Sequence, residues 1–262
     1  MKSIEIQSRP CGFFSNFRTV LGLLHTCEIG GHKPSVRFEL GEACYRDPVK
    51  MGHCNWWNYY FEPINQDPRL KKLQKLTPDY KYEIRLTKVK IRRERGYKLI
   101  KRHIILREDI KQSINKFYAA HMTKCKVIGI HVRGTDSYLW LKKNREKSFY
   151  NINKVIKQLK TTYDKYDNCK IFVASDQHQY VQKIRKYFGS DKILITDSVR
   201  SRTRSNVHND DKISGYQKGL GALTDCILLS KCDYLVLSRS NLSKVALYYN
   251  PKVQHEYLKW RA

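Results

Sequence analysis

The chain has 262 residues, 41% hydrophobic and 12% aromatic, enough for one large or two modest globular cores and too apolar for a disordered chain. Its 51 Lys and Arg against 24 Asp and Glu give a formal charge of +27, which favours an anionic ligand, peripheral contact with an anionic membrane surface, or nucleic acid. No apolar run nears the roughly 20 residues that span a bilayer, and the polar start Met1-Lys2-Ser3-Ile4-Glu5 is unlike a secretory leader, so a cytoplasmic bacterial or viral protein is expected.

Ser3 to Gln7 reads as a strand, and Arg9-Pro10-Cys11-Gly12-Phe13-Phe14-Ser15-Asn16 as the loop after it. Phe17, Val20, Leu21 and Leu24 then recur at helical spacing up to His25. Gly12 and Asn16 stand at the turn of this strand–loop–helix unit, where a helix start can offer N–H groups to an anion. The aromatic tract Trp56-Trp57-Asn58-Tyr59-Tyr60-Phe61 fits either a hydrophobic core or a platform for a sugar or base. Tyr80 to Ile91 alternates like a strand, and the dense basic stretch from Lys88 to Arg107 could touch phosphates or a membrane. Glu108 to His121 reads as a helix, and a domain boundary is expected near Thr123–Lys126, dividing the chain into 1–125 and 126–262.

The second half alternates regularly. Strands at Val127–Val132, Lys170–Ala174, Lys192–Thr196 and Tyr234–Leu237 interleave with helices at Ile152–Tyr163, Tyr180–Phe188, Gly219–Ser230 and Ser243–Tyr249. That order predicts an α/β domain with a parallel sheet covered on both faces. The eight cysteines include no C-x-x-C pair, and several sit in apolar runs, as free thiols of a reducing compartment do. His53-Cys54 is too isolated for a zinc site.

Three of these strands end in polar clusters: His131-Val132-Arg133-Gly134-Thr135-Asp136, Ser175-Asp176-Gln177, and Ser238-Arg239-Ser240-Asn241-Leu242-Ser243. Parallel topology puts all three on one sheet edge, where ligands of open α/β sheets bind. Together they describe a nucleotide pocket. Arg133 supplies a permanently charged planar fork for phosphate, although an ion pair with Asp136 at an ordinary strand end would use the same residues. Ser238, Ser240 and Asn241, with the N–H groups opening the last helix, suit phosphate oxygens, and Asp176 suits a ribose hydroxyl or a base N–H. Asp225 lies in the apolar run Leu220–Leu229; it either faces water or must find a buried partner.

These motifs resemble the superfamily of GDP-fucose-dependent fucosyltransferases: the α1,6 enzymes including the rhizobial Nod-factor transferases, the protein O-fucosyltransferases and their α1,2 relatives. His131–Asp136 is similar to their His-Val-Arg-Arg-Thr-Asp, with Gly134 in place of the second Arg. Ala174-Ser175-Asp176 is similar to their Ala-Thr-Asp-Asp, with Gln177 in place of the second Asp. Leu220 to Val236, with Asp225, resembles their helix ending in Leu-Ser-x-Ala-Asp-Phe-Leu-Val, followed by a Ser-rich loop at Ser238–Ser243. Gly12-Phe13-Phe14-Ser15-Asn16 is similar to the Gly-x-Phe-Gly-Asn-Gln loop of the O-fucosyl branch, and the tract from Trp56 to Pro63 is similar to one in the superfamily. Glu146-Lys147-Ser148-Phe149 resembles the Glu-Ala-Ala-Phe that carries the proposed catalytic Glu of the α1,6 branch.

The resemblance implies a GT-B-like fold of two Rossmann-like halves facing a cleft, with an acceptor-side first half and a donor-binding second half. It implies inverting transfer of fucose from GDP-fucose to a glycan hydroxyl, with no cofactor or metal. The expected catalytic residues are Arg133 on the departing diphosphate, Asn16 beside it, and Glu146 as base with Asp136 second. The expected donor contacts are Gly12, His131, Arg133, Ser175, Asp176, Asp225, Ser238, Ser240 and Asn241. Another nucleotide sugar is the nearest alternative. A basic nucleic-acid-binding protein is the alternative of a different class, although no nucleic-acid motif is present and no specific nucleic-acid partner is expected.

Overall fold

The computed structural model describes residues 3–39, 44–64, 85–86, 88–134, 151–202, 207 and 212–259. The chain forms two compact units: residues 1–112 with 214–219, and residues 113–213 with 220–262.

In the first unit, β1 (Ser3–Ile6) pairs in parallel with β2 (Lys33–Val36), joined by the helix α1 (Phe13–Gly30). The helix begins four residues before the expected Phe17, because Phe13, Phe14, Phe17, Val20, Leu21 and Leu24 all have a core to enter. It ends at Gly31, whose φ of 63° is the left-handed conformation that glycine adopts without steric cost. The aromatic tract is core. Trp56, Trp57, Tyr59, Tyr60 and Phe61 are each almost fully buried, which removes the platform reading for these rings. Phe13 packs edge-on to Tyr60 at 5.1 Å, and Trp57 lies 4.3 Å from Phe61. Their polar ends are partly satisfied by backbone: the Tyr60 hydroxyl donates to the Tyr216 carbonyl at 3.0 Å.

One expectation in this half fails, and one element was not foreseen. Arg85, Leu86 and Lys88 are helical, so the alternation from Tyr80 to Ile91 does not mark a strand over the residues that are described. The basic stretch contains a helix, α2 (Arg93–His103), that was not anticipated. Its charge is partly neutralised at home: Arg95, Arg102 and His103 all bond Glu28 of α1, at 2.6, 3.1 and 2.6 Å.

The second unit is the parallel α/β domain. β3 (Lys126–Val132), β4 (Cys169–Ser175), β5 (Ile193–Leu194), β6 (Tyr234–Leu237) and β7 (Gln254–Tyr257) form one all-parallel sheet in the order β5-β4-β3-β6-β7. Alternate residues of β3 serve the two faces. Ile128, Ile130 and Val132 pack with Val155, Ile156 and Leu159 of α4 (Ile152–Tyr163) and with Val181, Ile184 and Phe188 of α5 (His178–Phe188). Gly129, on the other face, lets Leu229 of α6 (Gly215–Ser230), Cys232 and Leu235 close over it; a Cβ there would lie 2.6 to 2.9 Å from their side chains. Coverage on both faces is why these strands read as continuous apolar runs. The helix α3 (Glu108–His121) precedes β3 and α7 (Asn241–Tyr249) follows β6. The sheet does not close at α7 as expected: β7 adds an edge strand whose sequence, Gln-His-Glu-Tyr, carries no apolar signal.

Candidate functional site

The three polar clusters lie at the carboxyl ends of β3, β4 and β6, which are neighbours in the sheet. His131 is the centre of the arrangement. Its ring is buried, and its Nδ1 lies 2.8 Å from Ser243 Oγ, 2.9 Å from Ser238 Oγ and 3.4 Å from Ser240 Oγ. Ser240 also caps α7, its Oγ accepting the Ser243 N–H at 3.1 Å. One imidazole therefore gathers the whole serine-rich turn against the end of β3. Burial pushes the His131 pKa down to about 4, reinforced by Arg133 and opposed by Asp176, so the ring is neutral at neutral pH. Neutral imidazole can accept from a serine hydroxyl, which a charged ring cannot.

Arg133 is half-buried, two residues beyond His131 and within electrostatic reach of it. The next residue is tied to β4: the Gly134 N–H donates to Asp176 Oδ1 at 2.8 Å. Ser175 Oγ donates to the Val132 carbonyl at 2.8 Å and accepts the Gln177 N–H at 3.2 Å, so it locks the two strand ends rather than pointing outward. The two departures from the family motifs fall on one spot. A Cβ on Gly134 would overlap Gln177 Oε1 and approach Tyr180 at 3.0 Å. Where the motif has Arg and Asp, this chain has the only residue without a side chain and a neutral one that fills its space.

Asp225 does not face water. It is 5% exposed, and its Oδ1 accepts from Thr196 Oγ1 at 2.5 Å and from Ser198 Oγ at 3.0 Å. Burial pushes its carboxyl up to about 6 against the pull of Thr196, Arg200 and Ser198. Thr196, Ser198 and Arg200 were not singled out in the sequence. Their signal was the position of Thr196 just after a strand on the same edge.

In the first unit, Gly12 is the residue before α1, and the Phe13 N–H behind it is already taken by the Tyr45 hydroxyl at 2.9 Å. Asn16 is buried and holds its own loop: Oδ1 accepts from Arg9 N–H at 2.9 Å, while Nδ2 donates to the carbonyls of Arg9 and Cys11. Glu146 and Asp136 lie outside the described residues. Among the described residues no group of three or more His, Cys, Asp or Glu could hold a metal ion, and no helix is long and apolar enough to cross a membrane.

The sequence model of the nodulation protein Z (NodZ) family matches residues 91–257, more than half of the chain. The chain belongs to the NodZ family. Its fold agrees with solved members. It is similar to the fucosyltransferase NodZ from Bradyrhizobium at 17% identity and a TM-score of 0.64, over 97% of this chain and 93% of that one. A NodZ α1,6-fucosyltransferase soaked with GDP-fucose gives 18% identity and 0.64, over 95% and 93%. A mutant of Arabidopsis thaliana FUT1 in complex with GDP gives 13% and 0.60, over 100% of this chain and 71% of that one. No curated protein sequence is significantly similar. The α/β architecture with a parallel C-terminal sheet is thus that of the GT-B-like fucosyltransferases, as the motifs implied.

Proposed function

We propose that the strand-end cluster of the second unit binds GDP-fucose and that the chain transfers the fucose, with inversion and without a metal, to a glycan hydroxyl. Family membership supplies the enzyme class: a GDP-fucose-dependent fucosyltransferase of the NodZ family. The observation that carries the site is the convergence of Arg133, the His131-held serine turn and the Asp176-held Gly134 amide on one sheet edge.

Cleavage of the bond between fucose C1 and the β-phosphate oxygen leaves the electron pair on GDP and positive charge on the sugar. Donors already fixed at the diphosphate lower that barrier most, because they need not reorganise as charge develops. Arg133 meets the negative charge that develops on the diphosphate, with Asn241 and the N-terminus of α7 beside it. Ser238 and Ser240 hold the turn through His131, and Asp176 takes a ribose hydroxyl or base N–H on the side away from Gly134. The acceptor oxygen attacks C1 from the opposite face and its proton passes to a carboxylate, Glu146 first and Asp136 second.

Arg133→Ala should lower kcat/KM for GDP-fucose by roughly 10²- to 10³-fold, in line with loss of one preorganised donor, while circular dichroism and Tm stay near wild type. Unchanged turnover would sink the assignment. Product anomeric configuration by NMR tests inversion, and a donor panel read by released nucleotide tests GDP against UDP and ADP sugars. Activity should survive EDTA; loss that Mn²⁺ restores would overturn metal independence.

A further inference from the structure

We infer that the acceptor carries an anionic group, a carboxylate, sulfate or phosphate, and that Arg239 and Lys259 receive it, an inference that rests on the donor reading of this sheet edge. The register of the parallel strands places both residues. His131, Leu237 and Tyr257 lie side by side on β3, β6 and β7, and Val132 lies beside Ser175 on β4. The ladders run one step past the strands: the Ser238 N–H donates to the His131 carbonyl and the Leu258 N–H to the Leu237 carbonyl, both at 2.9 Å. Two residues beyond the row of His131 come Arg133, Arg239 and Lys259, with Asp176 beside Arg133 on β4. Three adjacent strands thus end in a cation, with about 4.8 Å from strand to strand. Like charges at that spacing repel one another, so such a row costs stability until an anion meets it.

The two outer cations are exposed and fixed at the rim. The Arg239 guanidinium lies over the Tyr257 ring, 4.6 Å from its centre. Stacking orients a planar fork of donors that suits an oxyanion. The Lys259 N–H donates to Gln158 Oε1 at 3.0 Å, and Gln158 Nε2 donates to Glu256 Oε2 and the Tyr257 carbonyl at 2.8 and 3.1 Å. The acid of β7 is turned to the α4 face: Glu256 Oε1 accepts from Thr162 at 2.5 Å and Oε2 from Gln158. Order along the edge then assigns the outer pair. In the donor reading Asp176 on β4 meets the nucleoside, and Arg133 with the N-terminus of α7 meets the diphosphate. The donor runs from nucleoside to diphosphate to fucose, and the acceptor oxygen attacks C1 from the face opposite the diphosphate. Fucose and acceptor therefore lie past the diphosphate, on the side away from β4. Fucose has no charge, so the anion that Arg239 and Lys259 meet there comes with the acceptor.

The test is calorimetric titration of the GDP-loaded full chain with matched trisaccharides of N-acetylglucosamine: unmodified, or with one C6 group oxidised to carboxylate, sulfated or phosphorylated. At about 150 mM salt, where distant charges are screened, at least one anionic form should bind roughly tenfold tighter than the unmodified one, as for one charge-assisted contact. The form preferred tells carboxylate, sulfate and phosphate apart. Arg239→Ala and Lys259→Ala should each reduce the preference and together abolish it, with GDP affinity unchanged. Tyr257→Phe should retain it and Tyr257→Leu weaken it, since the ring orients the guanidinium. Lys98→Ala with Lys101→Ala, on the exposed side of α2, removes as much charge and should leave the preference intact. Equal binding of all the trisaccharides, or binding of none, overturns the inference. So does a preference that the α2 variant loses as fully as the rim variant, which is the behaviour of bulk charge. Lower GDP affinity in Arg239→Ala also overturns it, by assigning that guanidinium to the diphosphate. Should wild type bind no GDP, the donor reading fails, and the same titrations without nucleotide still decide whether the rim takes an anion.

Discussion

His131 and Asp225 are buried ionisable groups shifted in opposite senses, and their effects on stability oppose each other. Between about pH 4 and 6.5 the unfolded chain protonates His131 and the native chain does not, so this residue makes stability rise with pH. Between 3.8 and about 6 the native chain holds a proton on Asp225 and the unfolded chain does not, so stability falls as pH rises. The windows overlap and the shifts are similar in size. Asp225→Asn should therefore steepen the loss of Tm on going from pH 6.5 to 4, and His131→Gln should flatten or reverse it. Parallel Tm–pH curves for the two variants would show that neither group titrates as described. Gly134 makes a further claim at this scale. Gly134→Ala should weaken GDP binding by pushing on Gln177, and Gln177→Ala in the same chain should recover most of the affinity, measured by calorimetry. A deficit that Gln177→Ala does not touch would place the cost in the backbone instead.

Among the elements, α1 is the one on which the first unit is built, and its sequence contains a conflict that only packing explains. Gly22 sits in the middle of the helix, where alanine would be favoured by about 1 kcal/mol. A Cβ there would overlap the carbonyl of Leu86, which is backbone and cannot rotate away. Gly22→Ala should thus lower stability, by roughly 1–3 kcal/mol as for other overpacked sites, with a denaturation midpoint below wild type; a rise would mean that Leu86 does not press on the helix. On the opposite side, burial raises the Glu28 carboxyl, but the hydrogen bonds from His103 and Arg95 outweigh it and hold the group at about 2. The folded pKa is depressed, so the tie between α1 and α2 is complete above about pH 4.5 and fades as pH falls toward 2. Glu28→Gln should cost on the order of 1 kcal/mol at pH 7, discounted for partial exposure, and only a fraction of that at pH 2, where the folded carboxylate is half protonated. The element boundaries that periodicity placed well, Glu108–His121, Ile152–Tyr163 and Tyr234–Leu237, are those whose apolar pattern and ends coincide. Elements it missed, β2, α2 and β7, are short, Pro-containing or polar, and they exist because a neighbouring strand or helix holds them.

For the whole molecule, the +27 charge is the property most open to misreading. Residues of the basic α2 bond Glu28, and scattered Lys and Arg do not form a nucleic-acid motif. Retention on duplex DNA should therefore be non-specific and fall by orders of magnitude between 50 and 200 mM salt, while GDP affinity changes less than about tenfold. Equal salt slopes for the two would favour a nucleic-acid role. The sequence by itself determined the class of the second half and the polar residues at the carboxyl edge of its sheet. Strands buried on both faces must be apolar throughout, and polar residues at their carboxyl ends then stand out. It also carried the family, through motifs whose order survives low identity. Only the tertiary structure decided what each polar residue is bonded to. His131 binds serines more than a hundred positions away, Asp225 meets hydroxyls from another strand's turn, and the aromatic tract closes a core instead of facing a ligand. Those partners are set by which strands become neighbours, and strand order is a property of the folded sheet that no local spacing encodes.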